Sequence, residues 1–534
     1  MRPGAVPLLV LLALASACGS KSAGYSAFDG GTDGGGGGGG DGGGDAASGA
    51  CTAGQQHCGG ACVDTTSSAS NCGGCGNTCE SGTCCDSTCV TDTSSCSFVV
   101  TGITPTQGNQ NGGDWIKVTG AGFSTGMLVH IGTGVAPTLA LDATHAIALT
   151  PPGLIGYDDV SVVSGTKTST LSKAFLYVAG SVSLPWTEKP MSAVRGEDPG
   201  LAVLQDGRVL VAGGTTVPDD PTHALTSAEL YTRSTDTVAL AGGAMTVPRM
   251  QNAAVTLLQG QALVIGGAGW TATSGTPATS ADLFDPTSNT FAPTKGPVTK
   301  ARAGIRAVMA YDGRVVISSG GDATADVYDP VTDSFAQIPQ LAEHTYGFMV
   351  RLRDGRVLLG AGDGSVTACE IFDPAQNKFI PAAPLNQGRS MLTAHTLPDG
   401  RVIVIGGSSI SAGAVHVPLT SMELYDPAAD KWTVAPYVLS TGRTWHASAL
   451  VRDGTILVMG GYNVDGTCTP TDTVDQVDPV NGTVKPFGTL PHANTEWTAV
   501  TLLDGSVLGV GGGACGTPTA LPSLDFLPGT KSGQ

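Results

Sequence analysis

The chain has 534 residues; only 13% are charged, 41% are hydrophobic and 78 are glycine, and the formal net charge is −18. That length allows several domains, and the glycine-rich, charge-poor profile fits an exported strand-and-turn protein rather than a helical one. The acidic balance repels a phosphate backbone and excludes nucleic acid as a natural partner.

The first residues, MRPGAVPLLVLLALASACGS, carry a basic start at Arg2, a short apolar run from Val6 to Leu14, and small residues at Ala15, Ser16 and Ala17. This is the pattern of an export signal. The run is too short to span a bilayer, and no later stretch reaches membrane length. LASAC resembles a bacterial lipobox, with Ala15 where Leu is usual. The resemblance implies that residues 1–18 end in a lipidated Cys18, which anchors the protein at the outer membrane or cell surface. Cleavage nearby and secretion is the alternative. Residues 19–50 include DGGTDGGGGGGGDGGGDAASGA, which has no large apolar side chain, and read as a flexible tether.

Ten of the 14 cysteines fall in residues 51–96: Cys51, Cys58, Cys62, Cys72, Cys75, Cys79, Cys84, Cys85, Cys89 and Cys96. An even count in an exported chain, with few large apolar residues, points to disulfides in place of a core. Zinc held by thiolates such as Cys72 and Cys75 is the rival. CGGACVDTTSSASNCGGCGNTC resembles a cysteine-rich repeat of bacterial surface lipoproteins and plant stigma-specific proteins, which implies a stalk or adhesion module.

Residues 98–179 alternate like a small β-sandwich. Pro105, Gly108, Gly112, Gly113, Gly120, Gly122, Phe123, Gly126, Pro151, Pro152, Val160, Val162, Phe175 and Tyr177 resemble the immunoglobulin-like IPT/TIG domain. Such domains serve as spacers, adhesion modules or carbohydrate binders. Trp115 reads first as a core aromatic and second as a ligand platform.

From Val182 onward one pattern recurs every 42 to 54 residues or so, the spacing of propeller blades. Asp-Gly turns stand at 206, 312, 354, 399, 453 and 504, with Gln259-Gly260 in the missing place. Each precedes an apolar strand ending in glycines, such as GRVLVAGG and GTILVMGG, and most precede a third strand such as SAELY or TSMELYDP. A fourth strand carries Phe291, Phe335, Phe379 or Trp432. The composite resembles the kelch repeat. The fold expected is all-β: a seven-bladed kelch propeller over residues 182–528, after the sandwich and the disulfide module. The last copy lacks a fourth strand, and SLPWTEKPM before the first copy is the segment that completes it and closes the ring.

Ten or eleven residues before each turn sit Arg195, Arg249, Arg302, His344, Arg389, Arg443 and Asn494. This is a repeat feature, expected to tie neighbouring blades through carbonyls or carboxylates. The positions two and three beyond it point to the channel mouth and differ between blades: Glu197-Asp198, Gln251-Asn252, Gly304-Ile305, Tyr346-Gly347, Met391-Leu392, Trp445-His446 and Glu496-Trp497. Trp445, His446, Glu496 and Trp497, with Asp198, and with Tyr346 and His344 across the ring, form the candidate ligand site. RTWHASALVRDG resembles the copper-binding strand of galactose-oxidase-type enzymes, with His446 at the copper histidine. Trp445 and Gln251 replace that family's tyrosines, and one imidazole does not hold catalytic copper. The expectation is a non-enzymatic surface protein without a cofactor or metal, binding a glycan or protein at the propeller face and touching membrane only through its lipid. A degenerate oxidase or a carbohydrate-active enzyme is the alternative. Cys468 and Cys515 occupy equivalent loops and read as a disulfide, and Cys369 as a buried small hydrophobe.

Overall fold

The structure is a computed structural model. It describes residues 97–217, 220–267, 279–302, 304–318, 322–411, 415–463, 469–513 and 523–531, and, within 55–90, residues 55–58, 61–65, 70–79, 83–85 and 88–90. Cys18, Cys51, Cys96, Cys468 and Cys515, and the side chains of Cys62 and Cys85, lie outside the described residues. Strands dominate, and the described residues contain no α-helix.

Among the described residues, three disulfides cross the cysteine-rich segment: Cys58–Cys75, Cys72–Cys84 and Cys79–Cys89. Cys72 and Cys75 thus bond to different partners rather than acting as a metal-binding pair. Cys369 is buried and free, and burial pushes its thiol up to about 12.

The next segment is a two-sheet sandwich. One sheet holds Val99–Thr104, Trp115–Ala121, His145–Leu149 and Thr138–Ala140. The other holds Gln107–Asn109, Lys167–Val178, Gly156–Ser164, Leu128–Ile131 and Gly134–Ala136. Period-two alternation sends Ile116 and Val118 inward and Lys117 outward, and the inward set meets Val129, Val160, Val162, Phe175 and Tyr177 in one core.

The rest is a ring of four-stranded sheets. The fifth is typical: Thr393–Thr396, Val402–Ile405, Met422–Asp426 and Lys431–Val434, in that order. The second strand is buried at every residue in each repeat, as expected of a strand covered on both faces. The long strand Thr483–Thr501 pairs with Thr471–Asp478 along its first half and with Val507–Gly513 along its second, so it serves two successive repeats. The innermost strands Gly200–Val203, Ala253–Thr256, Arg306–Met309, Phe348–Arg351, Thr393–Thr396, Ala447–Leu450 and Thr483–Thr501 neighbour one another in a closed cycle. Thr187–Pro190 pairs antiparallel with Ser523–Leu527, so the segment before the first copy supplies the strand missing from the last.

Two local features recur in the blades. The Asp-Gly hairpins are three-residue loops: Leu204 N donates to Arg208 O, Gly207 N donates to Leu204 O, and Gly207 has φ 84°. The paired glycines crowd the lead-in segments. A Cβ on Gly213 would meet the carbonyl oxygen of Arg249, from the next blade, at 2.4 Å.

The repeated arginine works within its own blade. Arg195 Nε donates to Glu229 Oε1 at 2.9 Å, and Nη1 donates to the Gly213 and Ser227 carbonyls at 2.8 Å. Equivalent pairs are Arg249–Asp282, Arg302–Asp326, Arg389–Glu423 and Arg443–Asp475, at 2.8 to 3.1 Å. The same acid also receives the chain arriving from the preceding blade, as Ser192 N does on Glu229 and Ser440 N on Asp475. The tie between blades therefore runs through the carboxylate, not the guanidinium. His344 takes the arginine's place in the fourth blade, bonded to Glu370 Oε1 at 2.9 Å and Ala361 O at 2.7 Å.

The seventh blade departs from this. Asn494 reaches only the Gly511 carbonyl, and the equivalent acid, Asp525, is 3% exposed with no partner for Oδ1. Burial, with Glu188 nearby, pushes Asp525 up to about 7.

The sandwich sits on the hairpin end of the ring. Gln110 Nε2 donates to Arg452 O at 2.6 Å, and Asn111 Nδ2 to Val451 O at 2.7 Å. Trp115, Leu139, Ile147 and Leu149 pack beside Leu257, Leu258 and Met309. Trp115 is therefore an interface aromatic, neither sandwich core nor exposed platform.

Arg389→Ala strands Glu423 in a dry site, and its urea midpoint should correspond to a loss of about 3–5 kcal/mol. Asp525 carries the opposite sign of argument. Its folded pKa lies above its unfolded one, so its contribution is full below pH ~4 and is lost as pH rises through about 7. Asp525→Asn should stabilise the protein by roughly 2–4 kcal/mol at pH 8 and by little at pH 4, read by denaturant unfolding at both.

Candidate functional site

The clasp fixes the lead-in chain, and two residues later the backbone turns left-handed in every repeat. Glu197, Gln251, Gly304, Tyr346, Met391, Trp445 and Glu496 all have φ between 51° and 61°. Six of the seven are not glycine. Each such residue costs about 1 kcal/mol of backbone strain, tolerated because the surrounding structure over-determines it. The turn lays one residue per blade around the mouth. Backbone bonds form a belt through six of them: Gln251 N donates to Glu197 O, Met391 N to Tyr346 O, Trp445 N to Met391 O, and Glu496 N to Trp445 O, at 2.8 to 3.2 Å. Asp198 N donates to Glu496 O at 3.2 Å, carrying the belt across the closure.

Trp445 and Tyr346 meet edge-on, with ring centroids 5.2 Å apart. They come from the sixth and fourth blades, with Met391 of the fifth between them in the belt, so Tyr346 lies beside Trp445 rather than across the ring. Tyr462 adjoins Trp445 and Glu496. Burial raises the Tyr346 hydroxyl pKa, and Asp198, Glu496 and Glu197 add to the rise while Arg306 opposes it. Aromatic edges thus stand over a group of carboxylates with one guanidinium among them. Burial likewise raises Asp198, and Arg306 draws it back down.

Below the mouth lies a cavity of about 330 Å³ lined by Asp198, Arg306, Met391, His395, Trp445 and His446, among others. His446 is 4% exposed, and its Nε2 bonds Thr393 Oγ1 at 3.0 Å. It is a wall residue, not a group presented to solvent. Burial first, then Arg443, drops it to about 3. His395 bonds Ser448 Oγ at 2.6 Å, and burial lowers it to about 4. Among the described residues no carboxylate bonds this imidazole, so the pair lacks the group that would orient a general base.

One candidate leaves the site and another turns inward. Trp497 is 3% exposed and packs with Trp186, Ala447, Ala449 and Met459, a core aromatic between blades that, like His446, also lines the cavity below the mouth. His344 belongs to the clasp described above. Asp198, Tyr346, Trp445 and Glu496 are brought together at the mouth. The residues missed are Arg306, Tyr462, His395 and Ser448. His395 had a visible signal: its column otherwise holds Ala202, Val255, Val308, Val350, Ala449 and Val500.

Residues 99–177 match the IPT/TIG domain family, and residues 446–491 match the kelch motif. The fold is a kelch-type propeller joined to an IPT/TIG domain. Kelch-like protein 23 of Homo sapiens is 27% identical over 177 residues, covering 32% of this chain and 30% of its own length. Beta-scruin of Limulus polyphemus is 24% identical over 173 residues, covering 29% and 18%. The chain thus spans less than a third of the length of these curated relatives. A fungal alcohol oxidase solved in complex with copper shares the fold at TM-score 0.52 and 16% identity, over 65% of this chain and 76% of its own.

Copper does not fit the donors present. Among the described residues, no group of three His, Cys, Asp or Glu ligand atoms converges at His446; such a group occurs only at Cys72, Cys79 and Cys89, all disulfide-bonded. Trp445 and Gln251 hold the places where the oxidase pattern requires tyrosine.

The buried imidazoles set a pH dependence. Folding lowers both pKa values, so their contribution is present above pH ~6.5 and is lost as pH falls toward about 4. Thermal unfolding of His395→Gln combined with His446→Gln should show a smaller loss of Tm between pH 7 and pH 4.5 than the natural protein.

Proposed function

We propose that this protein is a binding protein of the cell envelope, whose propeller mouth grips a glycan or protein ligand. The observation that carries the reading is the departure of the mouth from its own repeat. The clasp and the turns recur around the ring, whereas Tyr346, Trp445 and Asp198 have no counterpart of their own type at the matching positions, and they gather with Glu496, which shares its type with Glu197 alone. A scaffold that repeats while one arc varies is what a ring needs to hold a local site. Aromatic edges supply apolar contact with little entropy to lose, and the carboxylates accept from hydroxyls or pair with basic side chains.

The bridges Thr444↔Tyr462, Ser390↔Ser408 and Gly196↔Thr215 set the residues directly after these glycine pairs against the lead-in segments that form the mouth. The export signal, Cys18 lipidation and the glycine-rich tether complete the reading: an anchored chain that holds the mouth away from the membrane.

Glycan-array and envelope-extract binding by the full chain tests it. Tyr346→Ala combined with Trp445→Ala should weaken any saturable ligand at least about tenfold, the scale of losing an aromatic anchor. Unchanged affinity in a folded double variant contradicts the mouth as the site.

A further inference from the structure

The channel holds a second cavity, of about 530 Å³, between the sandwich and the hairpin end of the innermost strands. Asn109, Asn111, Asp114 and Trp115 line it from one side, and Arg351, His395, Thr396 and Ser448 from the other. His395 and Ser448 also line the mouth cavity, so their bond marks the boundary between the two spaces.

Arg351 is the unusual group. In the same strand position Thr256, Thr396 and Thr501 each donate to a carbonyl of the preceding blade, at 2.7 to 2.9 Å. Arg351 makes the corresponding contact to Met309 O only at 3.4 Å. One of its five donors is thereby half used. The five lead-in arginines all face a carboxylate, but among the described residues no carboxylate pairs with Arg351. Asp114 lines the same cavity, yet its Oδ2 accepts from Asn109 N. Burial lowers Arg351 only to about 10, so the guanidinium stays charged at neutral pH. A half-buried cation without a counter-charge beside it is costly, and a planar fork of donors lining a cavity matches an oxyanion. The volume is ample for a small ligand.

We propose that this cavity binds a small oxyanion, a carboxylate, phosphate or sulfate group, on the Arg351 guanidinium. The site is separate from the mouth and does not depend on the reading given to it. The ligand satisfies donors that Thr side chains at sister positions do not possess.

Isothermal titration of the full chain with sodium acetate, phosphate or sulfate, against chloride at matched ionic strength, tests the proposal. At least one of the three should give saturable binding, and which one identifies the oxyanion class. Arg351→Met should weaken it at least tenfold while leaving circular dichroism unchanged, and Arg351→Lys, which keeps the charge without the fork, should fall between. Trp445→Ala should retain the natural anion affinity, which separates this site from the mouth. Absence of saturable binding for all three anions, or equal binding by Arg351→Met, overturns the proposal. Should Arg351→Met fail to fold, an Arg351→Lys affinity equal to the natural one overturns the guanidinium's role.

Discussion

A buried guanidinium held against a third-strand carboxylate at the start of five of the seven blades is the contact on which the ring's geometry rests. The carboxylate does two jobs, neutralising the guanidinium and receiving the chain that arrives from the blade before. Burial depresses Arg195, Arg249, Arg389 and Arg443, and their acids draw them back. Fixed in this way, the lead-in chain turns left-handed two residues later and places one side chain at the mouth. The belt of backbone bonds between those residues then links blade to blade without help from their side chains. That separation frees the mouth side chains to vary.

Closure uses different means. Asn494 replaces the cation in the last blade, and Asp525 is left without its partner. The ring is joined there by pairing Thr187–Pro190 with Ser523–Leu527, by the strand Thr483–Thr501 shared between the last two repeats, and by the belt bond from Asp198 to Glu496. The sandwich adds a further constraint through Gln110 and Asn111, whose side-chain amides donate to backbone carbonyls of the sixth blade's hairpin. The channel is thereby covered at its hairpin end, while the mouth carries the variable arc.

The scaffold was legible because it repeats. Turn residues, apolar strands and glycine pairs recur in register, and the unpaired strand at each end of the propeller implied closure. The site was half legible. Column comparison found Trp445, Tyr346, Glu496 and Asp198, since departure from a repeat is visible in sequence. It misplaced Trp497 and His446, because a column does not tell which way a side chain turns after a left-handed residue. His344 fooled the same comparison by its type: an imidazole reads as chemistry, yet here it stands in for an arginine. The partnership of the arginine was also misjudged, since sequence spacing does not distinguish an acid in the same blade from one next door. His395 and Ser448 lie 53 residues apart, and only the packing of adjacent inner strands joins them.

The account stands on the clasp beneath Trp445 being an interaction between Arg443 and Asp475 rather than two independent packing residues. A double-mutant cycle with Arg443→Leu and Asp475→Leu, followed by equilibrium urea unfolding, measures that coupling directly. Each single variant should lose about 3–5 kcal/mol by leaving one charge buried alone, and the double variant should recover much of that loss. Losses that simply add would contradict the clasp as the constraint that shapes the mouth.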